Sequence, residues 1–212
     1  MHARNARSRS RLLLPALAAT LGVAFAAAAD ESAGPVYKVE IIVFRATTAL
    51  GSAENWSAEA GARIVAGDES ESGSSQVGHL VGLLPASSYQ LDELESRLRS
   101  GGSYVPVAHV AWTQTASAWG TRAGFALARL GVEVPGLSGN VFLERGQFLH
   151  LGMALSWTME TPPAGLGAAP GTAFTLDQTR RVRFFERNYY DHPAFGVIAL
   201  VSPAQGPRAP GR

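Results

Sequence analysis

Twelve consecutive residues, 148–159, alternate without a break between two sides. Leu149, Leu151, Met153, Leu155, Trp157 and Met159 fall on one side; Phe148, His150, Gly152, Ala154, Ser156 and Thr158 fall on the other. A repeat of two is the period of an extended strand. A run this long with one wholly apolar side must lay that side on a core. A helix would spread the same residues around its whole circumference. The chain is thereby committed to a sheet.

Other segments supply the remaining strands. Residues 37–44 begin just after Pro35 and are rich in β-branched side chains. Tyr37, Val39, Ile41 and Val43 share one face, and Ile42 and Phe44 make the other face apolar too. That predicts a central strand covered on both sides. Residues 104–115, 124–130, 139–144, 174–187 and 196–202 read as further strands. One helix is expected. Ser87-Ser88-Tyr89-Gln90 has capping-box spacing, Leu91, Leu94 and Leu98 form a stripe, Glu95 and Arg99 can pair, and Gly101-Gly102 stops it. The predicted fold class is α+β: a mainly antiparallel sheet with one packed helix and a long N-terminal loop region. That region, residues 46–82, is rich in Ala, Gly, Ser and Glu and reads as a mobile loop anchored by Trp56.

The N-terminus sets the expected compartment. Arg4, Arg7, Arg9 and Arg11 precede an apolar stretch from Leu12 to Ala26, and small residues follow. This reads as a secretory signal peptide over residues 1–29, cleaved near Ala28 or Ala29. Its apolar core is shorter than the ~20 residues of a membrane span. The chain has no cysteine, so a lipoprotein, a disulfide and thiolate metal ligation are all ruled out. Residues 30–204 read as a single domain and 205–212 as a disordered Pro/Gly/Arg tail. The expected product is an exported protein with no membrane span after cleavage. The full chain carries 18 basic and 17 acidic residues; the signal removes four arginines and no acid, leaving the mature chain near −3. A general nucleic-acid binder would be strongly basic, so nucleic acid is not an expected partner.

The candidate chemistry lies near the C-terminus. Arg180, Arg181, Arg183 and Arg187 fall within eight residues. In a continuous strand Arg181, Arg183, Phe185 and Arg187 would share one face. Such a row of like charges repels unless acids or an anionic ligand oppose it. Two readings stay open: cross-strand pairing with Glu, or an anion-binding face. Asp191-His192-Pro193 reads as a structural or ligand-shaping turn. A metal site using His150 or His109 as a second ligand is the lesser reading, because zinc-type spacing is missing. No G-x-S-x-G elbow and no phosphate-cradling glycine loop occurs. Tyr104, Trp112, Trp119 and Trp157 could stack on sugar faces, although Trp157 belongs to the apolar side of its strand. A binding module is favoured over an enzyme, and no cofactor is expected.

Four segments resemble the CsiV family of periplasmic peptidoglycan-binding proteins. The first is Tyr37-x-Val39-Glu40-x-x-Val43-Phe44-Arg45, with Glu54-x-Trp56 after it. The second runs from Leu98 to Tyr104 and on to His109-x-Ala111-Trp112-x-Gln114. The third is Gly139-x-Val141 with Phe148-Leu149-His150-Leu151. The last combines Arg180-Arg181-x-Arg183 with Glu186, Tyr189, Asp191-His192-Pro193 and Phe195-Gly196-Val197. Thr113, Phe148 and Asn188 depart from the residues usual in the family, which are Arg, Tyr and His. The resemblance implies export to the periplasm, binding to the cell-wall polymer, and cooperation with a lipoprotein activator of a class A penicillin-binding protein. Stem-peptide carboxylates would then meet Arg181 and Arg183, and Trp112 or Tyr190 would stack on the glycan or lactyl edge. Arg180, Gln114, His150, Asp191 and His192 complete the candidate ligand-binding set. The alternatives are a protein–protein adaptor that does not touch the polymer, and an enzyme acting on it.

Overall fold

The computed structural model describes residues 34–48 and 78–204. The expected signal peptide, the loop with Glu54 and Trp56, and the C-terminal tail lie outside the described residues. Among the described residues ten strands and one α-helix follow in order: β1 (Val36–Ala46), β2 (Leu80–Leu83), α1 (Asp92–Ser100), β3 (Tyr104–Thr115), β4 (Ser117–Ala118), β5 (Phe125–Ala126), β6 (Leu137–Arg145), β7 (Leu149–Met159), β8 (Thr172–Arg181), β9 (Arg187–Asp191) and β10 (Phe195–Pro203). They form two sheets rather than one. The first has the order β2-β3-β1-β10-β9; the second has β4-β6-β7-β8, with β5 also on β6. Pairing is antiparallel throughout except for the short parallel β4–β6 contact. The class is α+β, as expected.

The alternations explain the layers. Tyr37, Val39, Ile41 and Val43 of β1 meet Leu151, Met153, Leu155 and Trp157 of β7 in one core between the sheets. Ile42 and Phe44, on the other face of β1, meet Ile198, Leu200 and Leu91, with Leu94 and Leu98 of α1 packed on them. The first sheet is therefore covered on both sides, which is why β1 and β10 are apolar on both faces. The second sheet is covered by the first on its inner face only. On its outer face, Gly152 leaves room for the Phe142 ring: a Cβ there would lie 2.1 Å from that ring.

Several expectations are corrected. Residues 124–130 are not one strand, because β5 lasts two residues and a 3-10 turn follows over Leu127–Leu130. Leu80–Leu83 adds an edge strand inside what the composition marked as loop. The capping box does not form. Ser88 Oγ donates to Pro85 O (2.7 Å) in its own turn. The start of α1 is held instead by Glu40 on β1, whose carboxylate accepts from the N–H groups of Gln90 (2.8 Å) and Leu91 (2.7 Å). Finally, residues 174–187 break after Arg181 into β8 and β9, which lie in different sheets.

Candidate functional site

That break decides where the arginines go. Val182 is buried and donates its N–H to Leu149 O (2.9 Å), the last rung of the β7–β8 ladder before the chain turns away. Arg183 sits in the turn that follows, with its carbonyl accepting from Glu186 N (3.3 Å). Phe185 adopts φ +62° and donates to Val201 O (2.9 Å). The common face expected for Arg181, Arg183, Phe185 and Arg187 does not exist, because the period of two stops at Arg181. Neighbours in a strand point to opposite faces. Arg180 accordingly lies with its guanidinium carbon 5.6 Å from the Tyr190 ring and donates to Gln178 Oε1 (3.1 Å). Arg181 lies across from His150 on the outer face of the second sheet, 3.4 Å from the centre of the Phe148 ring. Cross-strand pairing with Glu does not occur. Among the described residues, the arginines in ion pairs are Arg97, Arg99 and Arg122.

Phe148 also lines a groove of about 570 Å³ at one mouth of the sandwich. Its walls include Val36, Tyr37, Arg145, Leu149, Phe184 and Pro203. Arg145 ends β6 on the same side of the strand as Val141 and Leu143, so it emerges where the core opens. Its Nη1 donates to Tyr37 Oη (2.5 Å), which ties the two sheets together at this point. The Tyr37 and Phe184 rings lie 6.0 Å apart. Arg145 thus lines the groove and Arg181 covers its Phe148 ring from the outer face, and among the described residues neither guanidinium is paired with an acid. Guanidinium forks suit carboxylates, and desolvation by adjacent rings strengthens such contacts. Arg145 was not among the residues singled out from sequence. The available signal was a charge at the end of an inward apolar alternation, just before Gly146.

A strap crosses the outer face beside this ledge. After β4 the chain turns at Trp119-Gly120, with Thr121 N donating to Ala118 O (3.3 Å) and Gly120 at φ +87°. The Glu144 carboxylate accepts from Arg122 N, and Arg122 pairs with Asp177 while its guanidinium lies 4.8 Å over Phe142. The Trp119 ring rests 4.0 Å from the His150 ring. Beneath it, His150 Nδ1 is buried with no hydrogen-bond partner among the described residues.

The remaining candidates are elsewhere. Trp112 is fully buried between the sheets and donates to Gln114 Oε1 (2.5 Å), while Gln114 donates to Thr115 O (3.2 Å). Tyr190 is also fully buried, and its hydroxyl donates to Leu151 O (2.8 Å) across the core. These three are structural, and neither ring has a face left for a sugar. Asp191 and His192 close the β9–β10 hairpin next to a small cleft of about 130 Å³ that also contains Phe44, Tyr104 and Tyr189. Tyr37 and Phe44 are seven residues apart on β1, so this cleft and the groove are separated by about 23 Å at the usual strand rise. Ala194 N donates to His192 Nδ1 (3.1 Å). Burial pushes the His192 pKa down, against the opposing pull of Asp191. Desolvation raises the Tyr189 hydroxyl well above its ordinary value, and Asp191 and Tyr104 add to the rise.

His109 joins neither Asp191 nor His150. It lies under α1, with Nδ1 2.9 Å from Glu95 Oε2 and Nε2 2.9 Å from Glu40 Oε1. Asp92, Glu95 and His109 are the one set among the described residues that could share an ion. Both His109 nitrogens are already engaged by carboxylates, so the set reads as an internal ion network. Burial works to lower the His109 pKa, but the two carboxylates outweigh it and the net shift is upward.

Among the described residues no helix is long and apolar enough to cross a membrane. No curated protein and no solved structure matches this chain. A family model described as "Peptidoglycan-binding protein, CsiV" matches residues 12–204, nearly the whole length. The chain therefore belongs to the CsiV family of peptidoglycan-binding proteins.

Proposed function

We propose that this is a non-catalytic periplasmic protein that grips peptidoglycan stem peptides at the mouth groove and assists the control of cell-wall synthesis. The observation that carries the reading is the pair Arg145 and Arg181, both without an acidic partner among the described residues and both set against aromatic rings. Stem peptides end in carboxylates, and a planar fork meets them with two parallel hydrogen bonds. Family membership makes the polymer the natural ligand. Cooperation with a lipoprotein activator of a class A penicillin-binding protein, the expectation the resemblance carried, is part of the proposal. The role offered earlier to Arg183 passes to Arg145, since Arg183 lies in the turn beyond the strand.

Co-sedimentation of the mature protein with purified sacculi tests this. The Arg145→Ala/Arg181→Ala variant should lose about 100-fold in affinity, taking ~1.5 kcal/mol or more for each charge-assisted contact. Full co-sedimentation of a normally folded double variant would remove the groove from consideration. A clearing zone in a sacculus zymogram would overturn the non-catalytic assignment. The exposed Val81 and Leu83 on edge strand β2 favour a second reading, a protein adaptor. Capture of a partner protein that persists at high salt, with no sedimentation on sacculi, would support it.

A further inference from the structure

The geometry points to Trp119 as a sugar platform that extends the carboxylate groove into a site for a disaccharide-peptide unit. This rests on the groove reading above. Trp119 is 54 % exposed, the most open tryptophan among the described residues. Exposing so large an apolar ring to water is unfavourable. Here it is also held still. Gly120 permits the tight turn, and the strap that carries the ring is pinned at Arg122 to both Glu144 and Asp177. Gly146 lies directly under the Trp119 side chain; a Cβ there would come within 3.1 Å of it. The His150 ring supports the indole at 4.0 Å. An exposed aromatic ring with little freedom left to lose is pre-ordered for a ligand.

Its position selects the ligand class. Ala118, just before Trp119, bridges Arg145. His150, below Trp119, is the cross-strand partner of Arg181. Across the sheet the order is therefore Trp119 just after β4, Arg145 at the end of β6, Phe148 just before β7 and His150 at its start, then Arg181 at the end of β8. A flat ring at one edge, with guanidinium groups following on β6 and β8, matches a ligand with an apolar-faced pyranose joined to a carboxylate-bearing peptide. The C–H face of an amino sugar stacks on an indole, while its hydroxyl and amide groups remain free for polar side chains. Trp112 and Tyr190, buried in the core, cannot serve this role.

The test compares two probes on the full mature protein. One is a disaccharide-tetrapeptide released from sacculi by a muramidase; the other is the same tetrapeptide after an amidase has removed the sugars. Wild type should bind the disaccharide-peptide about five- to tenfold more tightly, the size of one aromatic stacking contact. Trp119→Ala should abolish that difference and leave the tetrapeptide affinity within about twofold. Trp119→Phe should keep part of it. Tryptophan emission should shift to the blue with the disaccharide-peptide and not with the tetrapeptide. If Trp119→Ala leaves the sugar increment intact, or weakens both probes equally, the platform is wrong while the groove stands. If Arg145→Ala/Arg181→Ala spares tetrapeptide binding, the groove is wrong while the platform stands. No binding of either probe by wild type would overturn both.

Discussion

Glu40 is the group whose removal should be felt most. It is wholly buried on β1. Its two oxygens accept from Gln90 N at 2.8 and 2.9 Å and from Leu91 N at 2.7 Å. His109 Nε2 lies at 2.9 Å and Lys38 Nζ at 3.2 Å. Burial alone would raise its pKa, yet the His109, Leu91 and Gln90 hydrogen bonds and the Lys38 charge bring the net value below the ordinary carboxylate range. Glu40→Gln keeps the shape but removes the charge. One oxygen becomes an NH₂ group that must face an N–H donor, and Lys38 loses its counter-charge. Breaking a buried pair in this way costs about 3–5 kcal/mol. For a domain of this size each kcal/mol shifts Tm by roughly 2–4 °C, so the fall should be roughly 6–20 °C. Thermal unfolding followed by circular dichroism at pH 6 measures it. Glu93→Gln is the control. It breaks the exposed Arg97 pair on the same helix and should cost under about 1 kcal/mol. If the two variants melt together, the anchoring of α1 by Glu40 is refuted.

The same network makes a pH prediction. His109 faces Glu40, Glu95 and Asp92, with the Tyr89 ring at 4.4 Å and Lys38 behind Glu40. Its pKa is raised on folding, so its contribution is complete below the unfolded value of about 6.5 and fades as pH climbs through the folded one. Glu40 and Glu95 are lowered on folding, so theirs is present above about 4.3 and is lost as pH falls through their folded values. The Tm advantage of wild type over His109→Gln should peak between these limits and shrink toward pH 9; a flat difference from pH 5 to 9 would contradict it. At the turn after β8, Phe185 is 68 % exposed at φ +62°, a region costly for a bulky residue. Phe185→Gly should raise stability by about 0.5–1 kcal/mol, seen as a higher urea midpoint with unchanged slope, because the Val201 hydrogen bond survives. A lower midpoint would show that the ring contributes packing.

Strand alternation was legible residue by residue because the pleat has a period of two and buried faces must be apolar. Tyr37, Val39, Ile41 and Val43, the β7 stripe and the Leu91/Leu94/Leu98 stripe all sit where that rule puts them. The α+β class and the family membership were readable for the same reason: they depend on patterns local to each segment. What the chain could not disclose locally is anything set by a partner distant in sequence. Glu40 takes over the helix start 50 residues away, so the nearby capping spacing goes unused. Phe185 N bonds Val201 O on β10, in the other sheet, so the chain leaves a strand that composition would have continued and Arg183 falls in a turn away from Arg181. Arg145 reaches Tyr37 across the sandwich, over 108 residues, to frame the groove. Sequence alone determined the long strands β1, β3, β6, β7 and β10, which helix covers them and that guanidinium groups cluster near the C-terminus. Tertiary structure alone decided which of those guanidinium groups meet an open groove and which tryptophan reaches the surface, because exposure depends on what packs opposite a residue rather than on its neighbours in the chain.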